Sequence, residues 1–191
     1  MIRRMAIGVV LSIATAAVFA QLVDVEGVKF EPTTTVAGQP LVLNGAGLRT
    51  RLLFKVYAAG LYVPQKSNEA ATLLTQAGPR RILIGMLRNV DAATFAGSLM
   101  EGLKANHTDE QLAAIKPQLD QLLADLKAVG EAKKGDSIQL DFVPDSGTQI
   151  VVNGQPRGDP ITGAPLFNAL LRIWLGDKPA DASLKKAMLG G

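Results

Sequence analysis

The hydrophobic pattern of this chain changes period twice, and that constrains its fold more than any single motif. Residues 52–63, LLFKVYAAGLYV, are rich in branched and aromatic side chains and stop at Pro64, the composition of a long strand. Gly60 inside that run marks either a bulge or a close packing contact. Residues 25–30 read as a first strand, 41–43 as a short one closed by Asn44-Gly45, and 81–87 as another. Pro32, the threonine run 33–35 and Gly38-Gln39-Pro40 read as turn chemistry. The period then becomes helical. Asp91 is placed to cap a helix running to about residue 104, with Phe95, Leu99 and Leu103 on one face. Thr108 with Gln111 has the form of a capping box, opening a helical stretch to about residue 129 that Pro117 interrupts. Strand patterns return at 137–143 and 148–152, joined through Pro144-Asp145-Ser146-Gly147 as a hairpin. Asn153-Gly154 is a second hairpin turn, leading to a short strand near 155–157. An apolar helix over 163–175 ends at Gly176, and 182–189 reads as a short last helix. Strands, then helices, then strands and helices again make an α+β fold.

The first twenty residues stand apart from this pattern. Arg3 and Arg4 precede an apolar run over 6–17, and Val18-Phe19-Ala20 puts small residues at the −3 and −1 positions of a cut before Gln21. Charge, apolar run and small-residue site in that order are the layout of a secretory signal peptide. The apolar run is shorter than the roughly 20 residues a membrane span needs. The expected division is a signal peptide over 1–20 and one domain over 21–191, with export to the periplasm and no transmembrane span after cleavage. Arg3 and Arg4 leave with the signal, so 18 basic residues face 17 acidic ones in what remains. The near-neutral balance, with no concentrated basic face, argues against a nucleic-acid partner.

The chain contains no cysteine and one histidine, His107. Disulfides, thiol nucleophiles and iron–sulfur sites are therefore excluded, and so is a metal centre built on several imidazoles. No metal or cofactor is expected. Stability has to come from an apolar core, which 171 residues suffice to build.

One set of motifs goes further. Leu43-Asn44-Gly45-Ala46-Gly47-Leu48-Arg49, followed by Phe54-Lys55-Val56-Tyr57-Ala58-Ala59-Gly60-Leu61-Tyr62, resembles the N-terminal signature of the chalcone isomerase family, in particular its bacterial exported members. Gly135-Asp136, Pro144-Asp145-Ser146-Gly147-Thr148, Asn153-Gly154 and the closing Phe167, Ile173-Trp174-Leu175-Gly176 and Leu184-Lys185 follow in matching order. The resemblance spans about residues 25–190. It implies an open-faced β-sandwich, an antiparallel sheet backed by helices, with a ligand cleft between them.

By position, the arginine with which the plant enzyme holds the chalcone's nucleophilic oxygen is similar to Arg49. The other catalytic groups do not carry over. The enzyme's strand threonine corresponds to Tyr57, in a stretch shorter than the enzyme's. Its helix tyrosine corresponds to Phe95, its asparagine to Gly102 and its late threonine to Ile173. Phe95, Gly102 and Ile173 have no side-chain hydrogen-bonding group. The resemblance also covers non-catalytic members that bind fatty acids with the arginine and a tyrosine of the same strand, and Arg49 with Tyr57 resembles that pair. Arginine presents a planar fork suited to a carboxylate. Phe95, Leu99 and Ile173 would wall an apolar pocket for an acyl chain or a flat aromatic.

The expectation is a non-catalytic periplasmic protein binding a small amphipathic anion, such as a fatty acid, through Arg49, Tyr57, Phe95, Leu99 and Ile173. The alternatives are an intramolecular lyase acting on a flavonoid-like substrate, and an envelope protein with a vestigial, side-chain-filled cleft. Period two puts Lys55 on the face of Tyr57. Trp174 and Phe167 read as packing of the last long helix, His107 as a cap or surface residue, Asp136 and Asp145 as turn residues, and Arg80 and Arg81 as the exposed start of a strand.

Overall fold

A computed structural model describes residues 21–191; the proposed signal peptide lies outside them. Seven strands form one antiparallel sheet in sequence order: β3 (Thr33–Val36), β4 (Gln39–Arg51), β5 (Phe54–Val63), β6 (Arg80–Met86), β7 (Ser137–Val143), β8 (Gly147–Val152) and β9 (Gln155–Ile161). A separate two-stranded hairpin, β1 (Val23–Val25) and β2 (Val28–Phe30), precedes it. Six helices complete the domain: α1 (Ala70–Thr75), α2 (Ala92–Asn106), α3 (Asp109–Ala114), α4 (Lys116–Val129), α5 (Ala164–Leu175) and α6 (Ala182–Met188). This is the expected α+β architecture, an antiparallel sheet backed by helices.

The caps read from the sequence are present. The Asp91 carboxylate accepts from the Thr94 backbone N–H at 2.9 Å, and Thr108 with Gln111 completes a capping box at the start of α3. Asp145 and Gly147 turn the β7–β8 hairpin with φ of 67° and 106°. Asp136 accepts from the Lys133 backbone and from Asn153. His107 is the C-cap of α2, its Nδ1 2.9 Å from the Leu103 carbonyl.

Several local readings give way to tertiary structure. The first strand is in fact the β1–β2 hairpin, turned at Glu26 and Gly27 with φ of 54° and 85°. The threonine run is strand β3, paired with β4. Asn44-Gly45 does not end a strand: β4 runs through it, and Asn44 is an extra residue between the Leu43–Tyr62 and Gly45–Leu61 pairs. Its buried amide donates to the carbonyls of Ser67 and Met188 and accepts from the Ser67 N–H. The glycines that follow are needed for packing. A Cβ at Gly45 would run into the Ala187 carbonyl, and one at Gly47 would lie 2.6 Å from the Ala187 Cβ. α6 therefore lies directly on β4. Helix α1 had no sequence signal: its N-cap Glu69 makes no side-chain cap, and only Leu73 and Leu74 are buried.

The sheet has two differently covered faces. On the outer face, β1–β2 closes over Leu41, Leu43, Ala58 and Tyr62 with Phe30 at the centre. Gly60 is the close-packing case: a Cβ there would stand 2.7 Å from the Phe30 ring. On the inner face, Tyr57, Leu61, Ile82, Ile84, Ile138, Leu140 and Ile150 pack under the helices. α5 is buried on nearly all sides and forms the centre of that layer. Residues 21–191 supply a buried apolar cluster on each face of the sheet.

The arginines at the start of β6 are not exposed, contrary to the sequence reading. Arg80 is 2 % exposed. It lies 5.0 Å from each of the Phe142 and Phe167 ring centres and donates to Asn168 and to the last carbonyls of α1. Burial pushes its guanidinium down to about 10. Arg81 makes a two-pronged ion pair with Asp141, both contacts at 2.6 Å, and also donates to Thr34. The apolar rings and the opposed carboxylate on the neighbouring strand explain why a Gly-Pro-Arg-Arg start turns inward.

Candidate functional site

Between the inner face of the sheet and helices α2, α4 and α5 lies a cavity of about 340 Å³, within the range of roughly 300–1,000 Å³ typical of small-ligand pockets. All five residues singled out from the sequence line it: Arg49, Tyr57, Phe95, Leu99 and Ile173. The floor is apolar and buried, with Ile84, Met86, Leu122, Leu126, Ile138 and Leu140. At the other end the lining residues Arg51, Leu52, Phe54, Arg88 and Asp91 are exposed and mark the mouth. The vestigial-cleft reading expects side chains to fill the space beside Arg49; that space is open.

Arg49 and Tyr57 do not share a strand. Arg49 is on β4 and Tyr57 lies directly opposite it on β5. One residue further on the register slips: Thr50 pairs with Lys55, leaving Val56 as a bulge. The bulge breaks the period-two alternation. Val56 and Tyr57 both line the cavity, whereas Lys55 reaches Glu26 at the β1–β2 turn, 2.7 Å away. Lys55 therefore adds no charge to the cavity wall.

The polar end of the cavity is small and incomplete. The Arg49 guanidinium lies 5.5 Å from the Tyr57 ring centre. Its Nε is buried without a hydrogen-bond partner, and no carboxylate lies within 4.0 Å of Arg49 among the described residues. Arginine is an obligate donor, so buried N–H groups of this kind need an acceptor. Tyr57 is buried, and its hydroxyl accepts from Trp174 Nε1 at 2.9 Å. Burial raises the phenol above its ordinary value, outweighing the opposing influences of Arg49 and Trp174. The phenol thus stays protonated at neutral pH, with its O–H not committed to any acceptor among the described residues. Arg49 and Tyr57 together offer donors and no acceptor charge to whatever enters.

Trp174 is the site residue that sequence reading missed. It packs in α5 as expected, but it also lines the cavity and orients Tyr57 across a sequence separation of 117 residues. No local pattern records such a contact. The mouth arginines Arg51 and Arg88 were likewise not anticipated. Gly102 does not line the cavity; a Cβ there would stand 2.8 Å from Ile173 Cγ2, so the α2–α5 contact leaves no room for a polar side chain. Phe95 and Ile173 present only carbon. The cavity can solvate an anion at one end and an apolar body along the rest. Arg49 and Tyr57 are the only two of the positions compared with the plant enzyme that bring hydrogen-bonding side chains to it.

An antiparallel sheet in sequence order, backed by helices over a cavity that Arg49 lines, defines a mixed α+β fold with a pocket of small-ligand size. The chain belongs to the chalcone isomerase-like family, whose model matches residues 22–190. Among solved structures it is similar to a fatty-acid binding protein of Arabidopsis thaliana, with a TM-score of 0.67 and 18 % sequence identity over 88 % of this chain and 96 % of the other. No curated protein matches it. Among the described residues no helix is long and apolar enough to cross a membrane, and no group of three acidic or imidazole side chains is placed to hold a metal.

Proposed function

We propose that this protein binds a small amphipathic anion without transforming it, and that a fatty acid is the ligand class that fits best. The carboxylate would sit between the Arg49 guanidinium and the Tyr57 hydroxyl, and the chain would lie along Phe95, Leu99 and Ile173. The single observation that carries this is the pairing of Arg49, with an unpartnered buried Nε, and a protonated tyrosine above a cavity floor that is apolar. Carbon at Phe95 and Ile173 and no side chain at Gly102 leave an isomerase without its further polar groups, since cyclisation depends on orienting an oxyanion and stabilising its charge. The fatty-acid binding Arabidopsis neighbour gives the reading independent support. The protein would act in the periplasm after cleavage before Gln21, as the charge and apolar pattern of residues 1–20 suggests.

The test is delipidated residues 21–191 titrated with palmitate by calorimetry, beside Arg49→Ala. Loss of charge-assisted hydrogen bonds predicts roughly 10–100-fold weaker binding in the variant. Equal affinity in the two proteins sinks the role of Arg49. Following chalcone absorbance is the counter-test: turnover above background that vanishes in Arg49→Ala would replace the binding reading with the lyase.

A further inference from the structure

The mouth of the cavity carries a feature that neither folding nor ligand retention explains. Strands β4 and β5 are joined by only two residues, Leu52 and Leu53, between the paired Arg51 and Phe54. Leu52 is 87 % exposed, Leu53 94 % and Phe54 58 %. Apart from these, the large exposed apolar residues among the described ones are Leu22 and Val23, each less than 40 % exposed. Leu52 also holds a φ of 56°, in the left-handed region that suits glycine or asparagine and disfavours leucine. A two-residue turn of this type ordinarily carries polar or glycine residues. Here the chain keeps two leucines at the most exposed point, against both solvation and backbone preference.

The surroundings narrow what could cover them. Leu52 and Phe54 belong at once to the exposed tip and to the lining of the cavity whose floor is buried and apolar. Arg51 and Arg88 flank the tip; Arg88 stacks over the Phe54 ring at 4.9 Å and has no carboxylate within 4.0 Å among the described residues. Arg51 makes two long contacts, 3.7 Å to the Glu101 carboxylate and 3.4 Å to the Ser98 hydroxyl, and its side chain is 54 % exposed. The acid at the mouth, Asp91, is engaged by the backbone and hydroxyl of Thr94. Apolar side chains at an apex with cations set around them match a bilayer surface, where the leucines meet acyl chains and the guanidiniums meet anionic headgroups.

We propose that the β4–β5 hairpin tip, Leu52, Leu53 and Phe54 with Arg51 and Arg88, docks the protein on anionic lipid bilayers and opens the cavity mouth onto the membrane. The lipid supply route this implies rests on the ligand reading above; the docking itself does not. On the bilayer, an acyl chain would pass from the membrane to the cavity along Phe54 and Leu52 without crossing water.

The test uses residues 21–191, so that the apolar N-terminal run contributes nothing to binding. Co-sedimentation with mixed phosphatidylcholine and phosphatidylglycerol vesicles should exceed that with pure phosphatidylcholine and fall with added salt. Leu52→Gly with Leu53→Ser should lower the partition coefficient by about tenfold or more. The same double variant should unfold at an equal or higher denaturant concentration, because glycine suits the backbone at position 52. Arg88→Gln should reduce binding to the anionic vesicles and leave the weak binding to neutral ones unchanged. Failure of the wild-type domain to sediment with anionic vesicles, or equal sedimentation of the double variant, overturns the proposal. So does a concentration-dependent dimer that the double variant abolishes, which would make a second copy the occupant of the tip. Palmitate titration separates the two ideas. Leu53→Ser alone, at a residue outside the cavity lining, should weaken vesicle binding yet keep its equilibrium affinity for palmitate, whereas Arg49→Ala should lose that affinity while still sedimenting with vesicles.

Discussion

The chain has two tyrosines, and the sheet places one on each face, each near an arginine. On the outer face the Tyr62 hydroxyl donates to the Glu31 carbonyl at 2.9 Å, and Arg81 is held by both oxygens of Asp141. On the inner face the Tyr57 hydroxyl accepts from Trp174 and retains its own proton, while the Arg49 Nε has no partner. The residue types are the same and the degree of satisfaction is opposite. The outer pair is part of what holds the β1–β2 hairpin side of the sheet together. The inner pair is left incomplete beside a cavity, where a ligand can finish it. Buried polar groups normally find partners within the fold, so the face that breaks this rule is where function should be sought.

The sharpest way to break the contrast is to remove charges on each face in turn. Asp141→Ala leaves Arg81, whose side chain is 14 % exposed, without its carboxylate. Loss of one partner of a mostly buried ion pair should cost about 3–5 kcal/mol, measurable by urea denaturation. Arg49→Ala removes a cation with no carboxylate within 4.0 Å among the described residues, and should change stability by less than about 1 kcal/mol while weakening palmitate binding. A large stability loss from Arg49→Ala with a small one from Asp141→Ala would reverse the assignment of the two faces.

A second way is to add volume to each face. Gly60→Val drives a side chain into the Phe30 ring and should cost about 1–3 kcal/mol by overpacking, seen as a lower melting temperature. Val56→Phe points the added carbons into the cavity of about 340 Å³. There the melting temperature should hold or rise, because the new contacts fill a void, and palmitate capacity should fall. If Val56→Phe destabilises as strongly as Gly60→Val, the inner face is packed and the cavity is no ligand site.

What could be read in advance divides along the same line. Order and type of the main elements were legible because each carries its own local signal. Asp91 and Thr108 with Gln111 start helices by satisfying their own backbone, and Pro144 to Gly147 turns by its own φ preferences. Arg49 and Phe95 were legible as site residues through the chalcone isomerase resemblance, and helical spacing added that Leu99 shares the face of Phe95. What stayed hidden depends on contacts distant in sequence. Asn44-Gly45 looks like a turn until α6 is laid on it; Arg80 looks exposed until Phe142 and Phe167 enclose it. The bulge at Val56, which separates Lys55 from the site, needs the β4 partner to exist. Trp174 reaches Tyr57 across most of the domain. Leu52 and Leu53 were read as the beginning of a strand because their composition is strand-like; only the pairing of Arg51 with Phe54 puts them at an exposed apex.

The smallest expected difference lies between the two tyrosines themselves. Tyr57→Phe leaves the Trp174 N–H unpaired and Tyr62→Phe frees the Glu31 carbonyl, so each should cost about 1 kcal/mol at neutral pH. Alkaline pH makes both phenols informative. Burial raises each above the ordinary phenol value of 10.0, Tyr62 to about 12. In the unfolded chain both ionise as pH passes about 10, while the folded phenols still hold their protons. The folded state then binds more protons than the unfolded one, so stability must fall as pH rises above about 10. Each Tyr→Phe variant should lose part of that slope in denaturation series run between neutral pH and about pH 11. Bound palmitate should carry that slope to higher pH in the wild type but not in Tyr57→Phe, because the carboxylate beside Tyr57 delays ionisation of the folded phenol. In Tyr62→Phe the palmitate effect should remain whole. An alkaline slope that palmitate alters equally in both variants would place the ligand's charge elsewhere than between Arg49 and Tyr57.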